Sequence, residues 1–123
     1  MKNFGAKGEI LAANYLVANG YEIIEKNYYN QKGYRLGEID LVVKDPKGQT
    51  VFVEVKTRST SGKDVVPEES VTQTKLKKIF KIANYFLAEK NLKDADWRVD
   101  FVGIVFNLNT RKVSVRHIKN LFI

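Results

Sequence analysis

Cysteine is absent from this 123-residue chain, which excludes a disulfide scaffold, a thiolate metal site and a cysteine nucleophile. Histidine occurs once, as His117, remote in sequence from every other candidate residue, so a catalytic histidine or a histidine-based zinc site is not expected. No apolar run approaches the roughly 18 residues that a membrane span needs. The start, Met1-Lys2-Asn3-Phe4-Gly5, lacks the apolar region of a secretory leader. Internal repeats, low-complexity tracts and linkers are missing as well. A soluble cytoplasmic protein is therefore expected, with residues 1–123 forming a single domain.

What is present is a folded composition with a basic balance. At 44% hydrophobic and 28% charged residues the chain lies far from the disordered regime. Twenty-one Lys and Arg against fourteen Asp and Glu give a net charge of +7. A basic domain of this size points to a polyanion, and to nucleic acid before membrane, because no basic amphipathic helix carries bulky apolar anchors. A solvated basic surface with no partner gives the same balance, so charge alone does not decide.

Apolar spacing gives the element order. Residues 6–19 read as a helix with Ala6, Ile10, Ala13, Leu16 and Val17 on one face and Gly20 as its stop. Residues 21–29 are rich in strand formers, and residues 38–44 and 50–57 alternate around the turn Asp45-Pro46-Lys47-Gly48. A mobile loop is expected from Ser59 to Glu69. A second helix is predicted from about Val71 to Lys90, with Leu76, Ile79, Phe80, Ala83, Phe86 and Leu87 as its apolar stripe and Ser70 with Gln73 as a capping box. Residues 97–106 and 112–118 complete an α-β-β-β-α-β-β order, an α/β or α+β domain with a mixed sheet flanked by helices.

The hairpin carries the chemistry. Asp, Pro and Gly at the first, second and fourth turn positions specify a type I turn with a bulge at Gly48, which pairs Asp45 with Gln49. That register sets Asp40 opposite Glu54 and Glu38 opposite Lys56. Ile39, Leu41, Val43, Val51, Val53 and Val55 share a core face; Glu38, Asp40, Val42, Lys44, Thr50, Phe52, Glu54 and Lys56 share the other. Like charges directly opposed across a hairpin destabilise it. The Asp40–Glu54 pair therefore calls for a cation, and a hard, oxygen-seeking ion such as Mg²⁺ (or Mn²⁺) suits it. Lys56 stands ready to hold a water or to stabilise negative charge on a phosphate. The competing reading is a solvated face of an amphipathic hairpin, against which Val42 and Phe52 in the same layer count.

Gly37-Glu38-Ile39-Asp40 followed by Phe52-Val53-Glu54-Val55-Lys56-Thr57-Arg58 resembles the PD-(D/E)xK nuclease superfamily, and within it the YraN-like family related to archaeal Holliday-junction resolvases. The resemblance extends to Gly8-Glu9, Asn27, and Val71-Thr72 with Lys75. It implies a restriction-endonuclease-like fold, Asp40 and Glu54 as metal ligands, Lys56 as the catalytic lysine and Glu9 as a further acidic member. Ile39 stands where the superfamily's name has Pro, a position that varies. A homodimer would suit a junction resolvase, though no dimer face is legible.

Around this core stand candidate contacts for DNA. Glu9 falls within the apolar stripe of the first helix, where a carboxylate needs a partner, unless it faces the helix dipole or solvent. Lys75 flanks the second helix near its N-terminus and is the expected phosphate contact, while Lys77, Lys78 and Lys81 lie opposite the stripe, either solvated or on phosphate. Arg58 and Lys63 leave the hairpin on the active side, placed to clamp a strand. Tyr28, Tyr29, Tyr34 and Arg35 interleave aromatics with charge as base-stacking surfaces do, with at least one tyrosine belonging to the core. Trp97 reads as core. The expected activity is hydrolysis of DNA phosphodiester bonds; the alternative is a non-catalytic nucleic-acid-binding module on the same fold.

Overall fold

The computed structural model describes residues 4–61 and 71–122. In chain order these form α1 (Phe4–Ala18), β1 (Glu22–Tyr28), β2 (Ile39–Lys44), β3 (Thr50–Thr60), α2 (Gln73–Glu89), β4 (Trp97–Asn107) and β5 (Val113–Leu121). The order is the one the apolar spacing predicts. The strands make one mixed sheet, β1-β2-β3-β4-β5, antiparallel throughout except for β3 beside β4. That parallel pair follows from the connection: α2 is the crossover that a parallel return requires. No helix among the described residues is long and apolar enough to cross a membrane.

Each face of the sheet is covered by one helix, so each has its own core. Under α1 lie Leu41, Val43, Val51, Val53, Val55, Val102 and Ile104. Under α2 lie Tyr28, Val42, Phe52 and Val99, together with that helix's Leu76, Ile79, Ile82, Ala83, Phe86 and Leu87. The hairpin is thus buried on both sides, and a solvated Val42–Phe52 face does not hold. Tyr28 is the core tyrosine, and Trp97 is half-buried edge-to-face against Phe52 and Phe80.

The seating of α1 differs from the predicted stripe. Ala12, Ala13 and Leu16 are buried, whereas Ile10 and Val17 are 57% and 56% exposed and Ala6 also faces outward. The cause is Gly8, where any Cβ would collide with the Thr57 hydroxyl of β3. This close approach turns the small-residue side of the helix, rather than its larger aliphatics, onto the sheet. Two further boundaries move. β3 runs on through Ser59 and Thr60, which pair with Phe106 and Asn107, so the expected loop starts later. The N-cap of α2 is Thr72, whose hydroxyl accepts from the Lys75 amide at 3.1 Å; Ser70, the expected cap, lies outside the described residues.

On β4 beside Val53, Asp100 is fully buried and saturated with donors. Arg98, His117 Nε2 and the Asn120 amide all donate to it, and Arg98 also reaches Asp45 and the Tyr21 hydroxyl. Those donors outweigh the effect of burial and hold its carboxyl below the usual range. The network ties β4 and β5 to the hairpin turn, and it absorbs the single histidine in a structural role.

Candidate active site

The register of the β2–β3 hairpin is the one the turn dictates, with Leu41 opposite Val53, Val42 opposite Phe52 and the Asp45 amide bonded to Gln49. The ladder stops at Leu41–Val53. Continued by one more hydrogen-bonded pair, it would bring the Val55 amide to Ile39. Instead Val55 N–H donates to Asp40 Oδ2 at 2.7 Å. The strands splay at this point, with two consequences. Ile39 joins the α2-side core instead of the expected face with Leu41. Glu38 is not opposite Lys56 but pairs with Arg35 at 3.2 Å in an exposed position.

The splay creates a cavity of about 380 Å³, lined among others by Asp40, Glu54, Lys56, Lys75 and Lys78. Glu54 is only 4% exposed, and half-buried Asp40 shares its cavity. Burial, then the charge of Glu54, pushes the Asp40 carboxyl up to about 7, against the pull of the Val55 amide. Lys75 spans from the first turn of α2 to Glu54 Oε1 at 2.9 Å. Lys56 lies beside Lys75, and that neighbouring ammonium, followed by burial, lowers the Lys56 ammonium's pKa. Burial works against charge on Lys75 as well, but the ion pair with Glu54 outweighs it and leaves its pKa raised. Asp40 and Glu54 thus stand beside Lys56 and Lys75 in one cluster of opposite charges, and Glu38 lines the same cavity.

The other expected residues divide around this centre. Lys78 lines the same cavity, so it does not lie on the far side of the helix. Glu9 lines an adjoining cavity of about 560 Å³ with Lys26, Asn27 and Glu38. Its pKa is raised by burial first, then by Glu38 and Glu54, which puts it within the field of the acidic pair without sharing its cavity. Asn27 takes a positive φ of 53° there, a backbone state that asparagine tolerates. Arg58 is exposed two residues beyond Lys56, on the same face of β3. Tyr34 and Arg35 stand on the loop entering β2, where Tyr34 is 89% exposed and Arg35 covers the Tyr29 ring at 3.9 Å. Lys63 lies outside the described residues.

Two features escape the sequence reading. One is the engagement of Lys75 with Glu54 rather than with open solvent, a long-range contact that no local pattern reports. The other is Asn30, which pins the loop by donating to the Lys32 and Tyr34 carbonyls and accepting from the Leu36 amide. An Asn at a loop start was the available signal.

The carboxylate pair fits a hard divalent cation: its donors are oxygens, they lie together at the splayed strand end, and their mutual repulsion is visible in Asp40. Among the described residues no group of three His, Cys, Asp or Glu side chains is clustered for a metal. Two protein ligands with the rest water is an ordinary arrangement for Mg²⁺.

Residues 8–104 match the model of a family described as uncharacterised protein family UPF0102. A UPF0102 protein of Persephonella marina is 37% identical over 118 residues, covering 96% of this chain and 91% of its own length. One from Caldanaerobacter subterraneus subsp. tengcongensis is 43% identical over 124 residues, covering 98% and 95%. Among solved structures, Pyrococcus furiosus SfsA in complex with Ca²⁺ aligns with a TM-score of 0.36 at 15% identity, covering 97% of this chain and 63% of SfsA.

Proposed function

Since the chain belongs to the UPF0102 (YraN-like) family, whose description names no activity, we propose from its own residues that it is a metal-dependent endonuclease-like protein of the PD-(D/E)xK type, binding DNA and hydrolysing phosphodiester bonds. The observation that carries this reading is the Asp40–Glu54 pair at the splayed end of the hairpin, with Lys56 and Lys75 in the same cavity. Asp40 and Glu54 would hold Mg²⁺ or Mn²⁺. A bound ion there would offset charge on the phosphate oxygens and favour ionisation of water. Lys56, which lines the cavity with both carboxylates, donates to a phosphate oxygen or positions a water. Lys78 and Arg58 meet the flanking phosphates on the same side. Glu9, from the neighbouring cavity, adds negative field without needing to be a ligand.

The non-catalytic binding module has one specific observation in its favour. Lys75 already supplies Glu54 with a countercharge at 2.9 Å, so the acidic pair is partly neutralised without a metal. Incubating the protein with branched, duplex and single-stranded DNA separates the two. Cleavage that requires Mg²⁺ or Mn²⁺ and is lost in chelator supports the enzyme; binding without cleavage under every metal condition supports the module.

A further inference from the structure

A larger groove adjoins the acidic cavity and meets it at Leu36, which lines both. It encloses about 710 Å³ between α2 and the loop entering β2, and Leu36, Lys81, Asn84, Tyr85, Ala88 and Lys93 line it. The loop wall is held in place by the buried Asn30 amide. At Gly33, with φ of 75°, a Cβ would stand 3.6 Å from the Tyr85 hydroxyl, so loop and helix approach closely at this wall.

The lining has a definite chemistry. Leu36, Ala88 and the 40%-exposed Tyr85 ring supply flat apolar surface. Lys81 and Lys93 supply two cations, and among the described residues no carboxylate lines the groove. A ligand that is planar, apolar in its body and negatively charged at its edge satisfies all of this, and a nucleotide is such a ligand. The groove is also continuous with the site. Residues three or four apart share a helix face, so Lys78, Lys81 and Tyr85 form a row along α2 that starts in the acidic cavity. From Lys75 to Tyr85 the helix rises roughly 15 Å, the span of about four stacked nucleotides of one strand.

We propose that this groove is a subsite for an unpaired nucleotide, so that the protein acts on DNA with a single-stranded segment a few nucleotides from the phosphate at Asp40 and Glu54. A base locked in a duplex stack presents only its edge and cannot lay its face on Tyr85; an unpaired base can. The lysine row then follows the backbone between the two places. This inference rests on the nuclease-like reading and names its substrate class.

The test measures binding without chemistry. Fluorescence anisotropy in chelator compares a labelled duplex with the same duplex bearing a short single-stranded tail, for the full chain and for Tyr85→Ala, Tyr85→Phe and Lys93→Ala. The tail is expected to tighten binding. Tyr85→Ala should lose roughly 5- to 150-fold on the tailed DNA, the range for one stacked base, and leave the blunt duplex unchanged. Tyr85→Phe should keep the preference, and Lys93→Ala should reduce it by a smaller factor, which preserves the test if Tyr85→Ala folds poorly. A tail that adds nothing, or losses equal on both DNAs, overturns the subsite. Free AMP competing as well as the tailed DNA would also overturn it, in favour of a mononucleotide pocket. Metal-dependent cleavage is scored separately: its absence with tail preference intact rejects the enzyme and keeps the subsite, while no binding to any DNA rejects both.

Discussion

Lys75 places its ammonium 2.9 Å from Glu54 Oε1, where a cation bound by the acidic pair would also sit close. An ion and this lysine therefore compete for one carboxylate, and Lys75 has two partners to choose between: Glu54 and a phosphate. Removing one member of a buried pair costs about 3–5 kcal/mol; the partial exposure of Lys75 puts Lys75→Ala below that range. The variant should melt lower than the wild type in chelator and gain more than the wild type from added Mg²⁺, because Glu54 is then vacant. In DNA titrations its log-log salt slope should flatten by about 1 when a non-cleaving divalent ion is present. The same flattening in chelator would mean that Lys75 holds phosphate independently of Glu54.

Asp40 gives a pH-resolved expectation for the metal-free protein. Its carboxyl is pushed up to about 7 when folded, whereas an unfolded Asp titrates near 4. The folded state thus holds a proton that the unfolded chain has released. Stability from this group is complete below about pH 4 and is lost as pH rises through about 7. Asn at this position carries no charge, can still accept from the Val55 amide and can donate to Glu54. Asp40→Asn should accordingly gain on the wild type in melting temperature as pH rises from about 5 to about 8, in chelator. Mg²⁺ should stabilise the wild type by linkage and leave the variant nearly unmoved. A variant that is destabilised at about pH 8 and still responds to Mg²⁺ would remove Asp40 from the site.

How much of this could be read beforehand depended on whether the controlling contact was local. The turn Asp45-Pro46-Lys47-Gly48 is local, and it fixed the register that brings Asp40 and Glu54 together. The Leu76–Leu87 stripe is local too, and the structure buries all of it except half-buried Phe80. What failed was set at a distance. The face of α1 is decided by Gly8 meeting Thr57, which lies 49 positions further along the chain, so the apolar spacing alone puts Ile10 and Val17 on the wrong side. Glu38 left Lys56 because the Asp40 side chain, not a backbone carbonyl, took the Val55 amide. Lys75 reads as a phosphate contact alone, because Glu54, its partner, is on another element.

Lys56 separates chemistry from binding. It lines the cavity with both carboxylates, but lysine is no ligand for Mg²⁺. Lys56→Ala should abolish metal-dependent cleavage while the rise in melting temperature on adding Mg²⁺ persists. Lys56→Arg restores the charge but not the compact donor, and should not rescue turnover. Full cleavage by Lys56→Ala would refute its assigned role, and loss of the Mg²⁺ response would place it in the ion site instead.

Gly8 offers a test that needs neither metal nor substrate. An added methyl there meets the Thr57 side chain at well under contact distance, on the residue next to Lys56. Two effects oppose each other. Alanine favours an internal helix position over glycine by about 0.5–1 kcal/mol, whereas forcing atoms into a packed contact costs about 1–3 kcal/mol. The collision is with Cβ and both branches of a β-branched residue on a central strand, which cannot swing aside as a long side chain would. The steric cost should win, lowering the melting temperature by several degrees at roughly 4 °C per kcal/mol for a chain of this length. Thr57→Ala removes the hydroxyl and the methyl but keeps Cβ, so Gly8→Ala should cost less in that background, and the two substitutions should be non-additive. An equal loss from Gly8→Ala with and without Thr57 would show that the helix is not seated through this contact, and the account of why Ile10 and Val17 face outward would fall with it.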